Sequence, residues 1–431
     1  MTENRVFQFQ ASGKLRMQQQ EIRKYYTLLS LYLAQSIPMS FFSTVIPVIM
    51  RMEHYSLESI GYIQLIKLPW ILKILWAPLV DRTSKNKRQY RRWILFSEIF
   101  YAMIIISIGY LNLQTDFTTI IILMVIAFTA SATQDIATDA FAILILKKNE
   151  RSLGNSMQSA GSFIGTMMGS GVLLIIYHYW GWLWLLRCLG LFVLFALIPV
   201  SLYNVRNSKE LDRSTKNVSP LEFIYFFRQK KIGVHVLLLF LFYSGIIGIL
   251  TMVKPYFVDL GYDIKEIGFI SGIFGTACGV VMTIPAGMYI RKKGIVKSLW
   301  LFPIINVLAA TYFFGLTYTN HATYLVYIGV ALLWGAYAMS SVFVYTMSMQ
   351  IVRKGREGTD FTIQIVITHL SSLVIAIMSG KIADAITYRG LFGIEIGLGI
   401  LILVLLPFIF KKSFYERDEA GIQEHSTQEG V

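Results

Sequence analysis

The chain has 431 residues, of which 55% are hydrophobic and 15% are charged, and its formal net charge is +14. This composition is too apolar for a soluble globular protein and indicates an integral membrane protein in a lipid bilayer. The charge does not indicate a nucleic-acid partner, because no basic segment belongs to a soluble domain of its own.

Apolar stretches long enough to cross a bilayer recur along the whole sequence. They predict an all-α integral membrane protein with twelve transmembrane helices. No cleavable signal peptide is expected, because residues 1–25 are polar and basic. The predicted spans are 26–50, 59–80, 93–111, 118–146, 154–177, 182–203, 233–257, 266–290, 298–317, 323–349, 360–384 and 390–410.

Lysine and arginine concentrate in the two tails and in the loops that follow even-numbered spans. The positive-inside rule therefore places both termini in the cytoplasm. The predicted organisation is a cytoplasmic tail (1–25), an N-terminal six-helix bundle (26–203), a cytoplasmic linker (204–232), a C-terminal six-helix bundle (233–410) and a cytoplasmic tail (411–431).

An internal repeat relates the two halves. Residues 55–64 recur 207 positions later as residues 262–271, and Pro78 matches Pro285 at the same offset. The two six-helix bundles are therefore predicted to be pseudo-symmetric. Duplicated halves of this kind hold a solute near the bilayer midplane and alternate its access to the two sides.

The second span carries polar residues that we expect to bind solute. Lys67 is the deepest cation of this span, where it can bind an anionic group or neutralise a carboxylate, and Gln64 lies one turn before it. Lys73 lies nearer the cytoplasmic end, so we expect its side chain to extend toward the membrane surface.

The end of this span and the basic loop after it resemble a signature of the major facilitator superfamily. Asp81 and Arg82 are followed by further arginines and lysines, and Glu98 lies early in span three. In that family, an acid and basic residues of this loop latch neighbouring helix ends in one conformation. The resemblance implies a gating role for Asp81, Arg82 and Glu98, although the basic residues equally suit a role in fixing topology.

Two aspartates in span four are the strongest indication of function. Asp135 and Asp139 lie one helical turn apart and share a face. Carboxylates inside a bilayer are costly, and two so close titrate as a pair in which at least one keeps its proton. We predict that they couple transport to the proton gradient, without a cofactor. The alternative is permanent pairing with a lysine that fixes helix packing.

Other polar residues lie within predicted spans. Gln134, Gln158, Gln364 and His369 are expected to contribute to solute binding, although a hydrogen bond to a neighbouring helix is the alternative for His369. Glu395 is expected to pair with Arg389. Glycines at close spacing in spans five and eight predict close helix contacts, among them Gly165, Gly169, Gly268, Gly272, Gly275 and Gly279.

Three stretches resemble the AmpG-like branch of the major facilitator superfamily: residues 68–82, residues 131–140 and residues 358–364. That branch includes muropeptide permeases, siderophore importers and acetyl-CoA transporters. The resemblance implies the fold of that superfamily and a proton-coupled importer of a bulky anionic solute, of the siderophore or anhydromuropeptide class. Alternatives are a proton-coupled exporter of drugs or metabolites, an acetyl-CoA transporter, or a solute receptor that does not transport.

Catalysis and metal binding are not expected. No phosphate-binding loop, nucleophile elbow or zinc-protease motif occurs, and the two cysteines, Cys188 and Cys278, both lie within predicted spans. We therefore expect that the protein is not an enzyme. We also expect a monomer in the bacterial inner membrane that takes a small-molecule solute.

Overall fold

The computed structural model describes residues 2–52, 67–112, 114–205, 218–229, 232–319 and 322–409. Within these ranges all regular structure is helical, which confirms the all-α prediction. The repeat segment at residues 55–64, including Gln64, lies outside the described residues. The helices are α1 (Thr2–Ser40), α2 (Ile46–Met52), α3 (Leu68–Leu72), α4 (Ala77–Thr83), α5 (Lys87–Ile108), α6 (Phe117–Ile145), α7 (Arg151–Met167), α8 (Leu173–Ala196), α9 (Ile198–Ser201), α10 (Glu222–Phe227), α11 (Ile232–Leu241), α12 (Ile247–Asp259), α13 (Ile264–Ile267), α14 (Gly275–Leu316), α15 (Thr323–Gln350) and α16 (Glu357–Ile409).

The chain forms two compact units. Unit 1 comprises Met1–Lys73 and Thr83–Thr215, and unit 2 comprises Ile74–Arg82 and Lys216–Val431. The last residues of the predicted second span therefore belong to unit 2, although they precede most of unit 1 in sequence.

Three of the long helices change direction at residues with positive φ. These are Gly181 in α8 (φ 73°), Gly294 in α14 (φ 78°) and Thr387 in α16 (φ 66°). Glycine accepts this backbone without steric cost, whereas threonine does not. Each change of direction falls between two predicted spans. As a result, α14 contains residues of two predicted spans, and so does α16.

Five helical stretches among the described residues are long and apolar enough to cross a membrane. Two of them contain 52 residues each, which is about twice the length that one crossing requires. They are Phe117–Ile145, Ile176–Ser201, Lys265–Leu316, Thr323–Gln350 and Glu357–Phe408.

In unit 1, α1 packs on α7, while α5 packs on both α6 and α8. The contact between α1 and α7 depends on the predicted glycine stripe, because a Cβ atom on Gly165 would lie 2.5 Å from Cβ of Ser36. Aromatic rings fill the core of the unit, with Phe42, Tyr101 and Phe128 packed edge to face.

In unit 2, α14 packs on α15, and α16 packs on α11, α12 and α14. The glycines of predicted span eight make the predicted close contact in part. Gly275 packs closely against the indole of Trp334, as predicted, whereas the prediction was wrong for Gly268 and Gly272, because a Cβ atom added at either position would meet no atom within 4 Å.

Candidate functional site

A buried lysine and two buried aspartates form the polar centre of unit 1. Lys73 follows α3, which begins with a proline in its first turn and contacts α6. The position of Lys73 directly after α3 brings its ammonium against the Asp135 carboxylate and over the ring of Trp70, 4.8 Å from the ring centroid. Lys73 is 0% exposed and Asp135 is 5% exposed, so the ion pair is shielded from solvent.

This pair corrects two sequence-based expectations. Lys73 does not extend toward the membrane surface, because its ammonium is buried against Asp135. Lys67, which was also expected to neutralise a carboxylate, is exposed at the start of α3, and its binding of solute stays a prediction. The reason is geometric. The chain from Lys67 to Lys73 completes more than one helical turn, and of these two residues Lys73 faces α6. Lys73 lies inside the family-like stretch 68–82, whereas Lys67 lies outside it, and this signal could have distinguished the two.

Asp139 is buried beside the same pair. It is 1% exposed and accepts a hydrogen bond from the hydroxyl of Tyr32 on α1 at 2.6 Å. Lys73 is the cation that acts on it electrostatically among the described residues, and Asp135 is the nearby anion. Two carboxylates thus share one lysine. If both were ionised, the site would carry an uncompensated buried charge, so this arrangement favours one proton on the pair.

Amide side chains extend the polar centre. Gln35 on α1 donates to Gln134 on α6, one residue before Asp135. The amide nitrogen of Gln134, the hydroxyl of Thr138 and the amide oxygen of Gln158 are buried without a hydrogen-bond partner among the described residues. Buried polar atoms without partners are rare, because each loses its hydration without replacement. Such atoms can bind the polar groups of a solute.

The sequence reasoning missed Tyr32 and Gln35. Both occupy a long helix in which single polar residues carry no spacing signal, and only the packing of α1 against α6 identifies them.

In unit 2, Gln364 ties three helices together. Its amide oxygen lies 2.6 Å from Nε2 of His235 on α11, and its amide nitrogen donates to the carbonyls of Ser348 and Asp360. Its polar atoms are thus engaged in helix packing in this conformation. His369, one turn further along α16, is exposed.

Glu395 does not pair with Arg389 as expected. It is 2% exposed and accepts the backbone N–H of Gly248 at 3.3 Å, near the start of α12. The Arg389 guanidinium instead lies over the ring of Tyr318, 4.0 Å from its centroid, and donates to Thr317.

Asp81 caps the start of α16 within unit 2. Its carboxylate accepts the backbone N–H groups of Gly358 at 3.0 Å and Thr359 at 2.7 Å, and its side chain is 0% exposed. The first N–H groups of a helix have no intrahelical acceptor, and the helix dipole favours an anion there. Arg82 beside it is exposed, and Glu98 is buried in α5 of unit 1. The gating role of Asp81, Arg82 and Glu98 stays a prediction.

Ion pairs also hold the loop before α16. Arg353 contacts Asp360 at 2.6 Å and Glu222 of α10 at 3.1 Å, and Arg356 contacts Glu222 at 3.2 Å. Burial lowers the pKa of Arg353, but its hydrogen bonds and the charges of the two acids outweigh burial and raise the pKa overall. These contacts fasten the short linker helix α10 to α16.

A family model decides the identity of the fold. The model described as Major Facilitator Superfamily matches residues 28–359. The chain belongs to this superfamily. Solved transporters share its architecture: the transporter FucP in its outward conformation superposes with a TM-score of 0.69 at 13% identity and covers 91% of this chain and 100% of its own. The proton:xylose symporter XylE superposes with a TM-score of 0.68 at 10% identity and covers 91% of this chain and 96% of its own.

Curated relatives in the superfamily include permeases. The anhydromuropeptide permease of Escherichia coli K12 is 23% identical over 387 residues, which cover 88% of this chain and 78% of the permease. The putative transporter AmpG 4 of Rickettsia felis is 23% identical and covers 80% of this chain and 86% of its own. The resemblance to the AmpG-like branch is thereby confirmed, and the chain is an integral membrane transporter.

Proposed function

We propose that this transporter is a proton-coupled importer of a bulky anionic solute, of the anhydromuropeptide or siderophore class, that works by alternating access. The observation that carries this proposal is the buried set of one lysine and two aspartates. It combines a cation that can bind an anion with carboxyls that can bind protons.

Competition for Lys73 would couple the two events. In this conformation Lys73 neutralises Asp135, while Asp139 takes a hydrogen bond from Tyr32. An anionic group of the solute that contacts Lys73 removes the counter-charge of Asp135. Because an ionised carboxylate without that counter-charge is costly at this depth, Asp135 binds a proton at the same step. Solute and proton then cross together, and both are released when the site opens to the cytoplasm.

The solute class rests on two supports. Relatives that match most of the chain are named as anhydromuropeptide permease and AmpG transporters, and the cation at the site favours a negatively charged group. The unpartnered polar atoms of Gln134, Thr138 and Gln158 suit a solute with many hydroxyl and amide groups. A siderophore offers comparable chemistry, so the siderophore class stays the second of the two proposed solute classes.

The proposal extends to the setting of the protein. We place it in the bacterial inner membrane as a monomer with both termini in the cytoplasm. It needs no bound cofactor, because the proton gradient supplies its energy: one charge moved through 100 mV is worth about 2.3 kcal/mol.

Uptake by purified protein in proteoliposomes tests the proposal. An inward proton gradient is imposed, and an anhydromuropeptide, a panel of ferric siderophores and acetyl-CoA are each offered outside. We expect gradient-dependent accumulation of one of the first two classes. Accumulation of acetyl-CoA alone would change the solute, and efflux from proteoliposomes preloaded with solute, driven by the same inward gradient, would make the protein an exporter. Binding without accumulation or counterflow would make it a receptor.

A further inference from the structure

Glu98 is a buried acid that the proposed mechanism does not use. It lies inside α5, its side chain is 0% exposed, and neither of its carboxylate oxygens has a hydrogen-bond partner among the described residues. Both features are unusual for a carboxylate, which is normally buried only with a cation or with several hydrogen-bond donors.

The surroundings of Glu98 are polar but uncharged. The hydroxyl of Tyr101, one turn further along α5, lies close to the acid and to the hydroxyl of Ser131 on the facing helix α6. Further along α5, Gly190 of α8 packs against Ala102 and Ile106. No lysine, arginine or second carboxylate of the described residues acts electrostatically on Glu98. In such a place a carboxyl group is far more stable with its proton than without it.

The other half of the repeat has an amide in the corresponding place. Asn306 and Ser340 lie 208 and 209 positions after Glu98 and Ser131, close to the repeat offset of 207. They join α14 to α15, the helix pair that corresponds to α5 and α6, through a hydrogen bond of 3.0 Å between side chains. A neutral amide therefore suffices to hold this helix pair in unit 2. A carboxyl adds one property that an amide lacks, which is reversible binding of a proton.

Ser131 of the facing helix also connects the surroundings of Glu98 with the aspartates of α6. Ser131 and Asp135 are one turn apart on α6 and lie on the same face. Glu98, Tyr101 and Ser131 thus lie near one another at the contact of α5 and α6, and Asp135, which contacts Lys73, lies one turn further along α6.

We propose that Glu98 is a second proton-binding site of the transport cycle, neutral in this conformation and ionised when α5 and α6 rearrange to admit water. This inference rests on the proposed function, because it adds a second proton to the one that the Asp135–Asp139 pair carries. A proton from outside binds the Glu98 carboxylate and leaves to the cytoplasm, and no other bond changes.

The presence of the proton can be measured without transport. Infrared difference spectra of the full-length protein in lipid report the carbonyl stretch of protonated carboxyl groups as the pH is changed. We expect Glu98→Gln to remove one component of this band and Glu98→Asp to shift it, while Asp139→Asn removes a different component. An unchanged band in Glu98→Gln would mean that Glu98 neither binds nor releases a proton over this pH range, and would overturn the proposal.

The participation of that proton in transport is a separate measurement. The probe is the anhydromuropeptide or ferric siderophore that the unaltered protein accumulates. At a gradient of one pH unit without membrane potential, each coupled proton supports about a tenfold accumulation. We expect Glu98→Gln to retain solute exchange at equal pH, because its amide imitates the neutral acid, and to accumulate about tenfold less.

Glu98→Asp should recover part of that loss. Equal accumulation by Glu98→Gln and the unaltered protein would refute the role of Glu98 and leave the proposed function intact. If the unaltered protein shows no gradient-dependent accumulation, the proposed function fails and this inference fails with it.

Discussion

Lys73 supplies the positive charge that two buried carboxylates share. This ratio of one cation to two acids determines what each substitution should do. Removing Asp139 leaves the ion pair of Lys73 and Asp135 in place, whereas removing Asp135 breaks that contact and leaves Asp139 as the remaining acid near Lys73. The two aspartates lie on one face but have different partners. Substitution of Asp135 and substitution of Asp139 should therefore change the stability of the protein by different amounts, even where they change transport in the same way.

We expect Asp135→Asn and Asp139→Asn each to abolish proton-driven accumulation, while Asp139→Asn still permits solute exchange at equal pH. Asp135→Asn should also lower stability more than Asp139→Asn does, because it breaks the direct contact of Lys73 with a carboxylate; the loss should stay below the roughly 3–5 kcal/mol of an uncompensated buried charge, since Asp139 still balances Lys73. Uptake and thermal unfolding of the reconstituted variants measure both effects.

The double variant Lys73→Met, Asp135→Asn is the matched control for that loss of stability. It removes both charges, so we expect it to unfold at a higher temperature than Asp135→Asn alone. Full proton-driven accumulation in both single variants would contradict the coupling role of the aspartates.

Glu150, in the turn between α6 and α7, should give unit 1 a pH-dependent stability. Burial raises the pKa of this carboxyl, but the hydrogen bonds from Lys24 and from the backbone of Lys147, with the charges of both lysines, outweigh burial and lower it overall. A carboxyl with a lowered pKa stabilises the fold above its unfolded pKa of about 4.3, and this contribution is lost as the pH falls through the folded value.

We therefore expect Glu150→Gln to unfold at a lower temperature than the unaltered protein at pH 7, with a difference that shrinks as the pH falls below about 4.3. Thermal unfolding of both proteins across this range measures it. A difference that grows on acidification would contradict the assignment.

At the scale of the element, close helix packing positions the site in unit 1, and helix capping holds the start of α16 in unit 2. The glycines of α7 allow α1 to approach, and α1 carries the Tyr32 that contacts Asp139. In unit 2 the first turn of α16 is held by the Asp81 carboxylate and by the ion pairs of Arg353.

Gly165→Ala should separate α1 from α7. A Cβ atom there would lie 2.5 Å from Cβ of Ser36, and overpacking of this kind costs about 1–3 kcal/mol. Gly272→Ala is the matched control, since nothing lies within 4 Å of its added Cβ atom. Thermal unfolding should show a loss for Gly165→Ala and little change for Gly272→Ala, and equal losses would contradict the packing role.

Asp81→Ala should weaken the start of α16. The substitution leaves the N–H groups of Gly358 and Thr359 without an acceptor, and loss of a helix cap costs about 0.5–2 kcal/mol. Arg82→Ala serves as the control because Arg82 is exposed. Hydrogen exchange at the first turn of α16 should accelerate in Asp81→Ala only. Equal exchange in both variants would exclude the capping role.

At the scale of the whole molecule, the distribution of basic residues predicts which loops face the cytoplasm. The loop before α5 is rich in arginine and lysine, whereas the aromatic segment around Tyr179 is not. Both Arg88 and Tyr179 are exposed, so a thiol introduced at either position can react.

In a variant without Cys188 and Cys278, we expect Tyr179→Cys to react with a membrane-impermeant maleimide in spheroplasts of intact inner membrane. Arg88→Cys should react only after the membrane is permeabilised, because its loop faces the cytoplasm. The opposite pattern would reverse the predicted topology.

The sequence by itself determined the membrane class, the all-helical fold and the superfamily, because these follow from apolar length, repeat and motif, which are properties of the linear chain. It also identified Asp135 and Asp139, since charge inside an apolar segment is visible without a structure. The partners of these residues depended on the tertiary structure. Lys73 rather than Lys67 meets Asp135 because of the turn after α3, and Tyr32 and Asp81 find their partners far along the chain. Such contacts are set by how helices pack, which the spacing of residues within one helix does not encode.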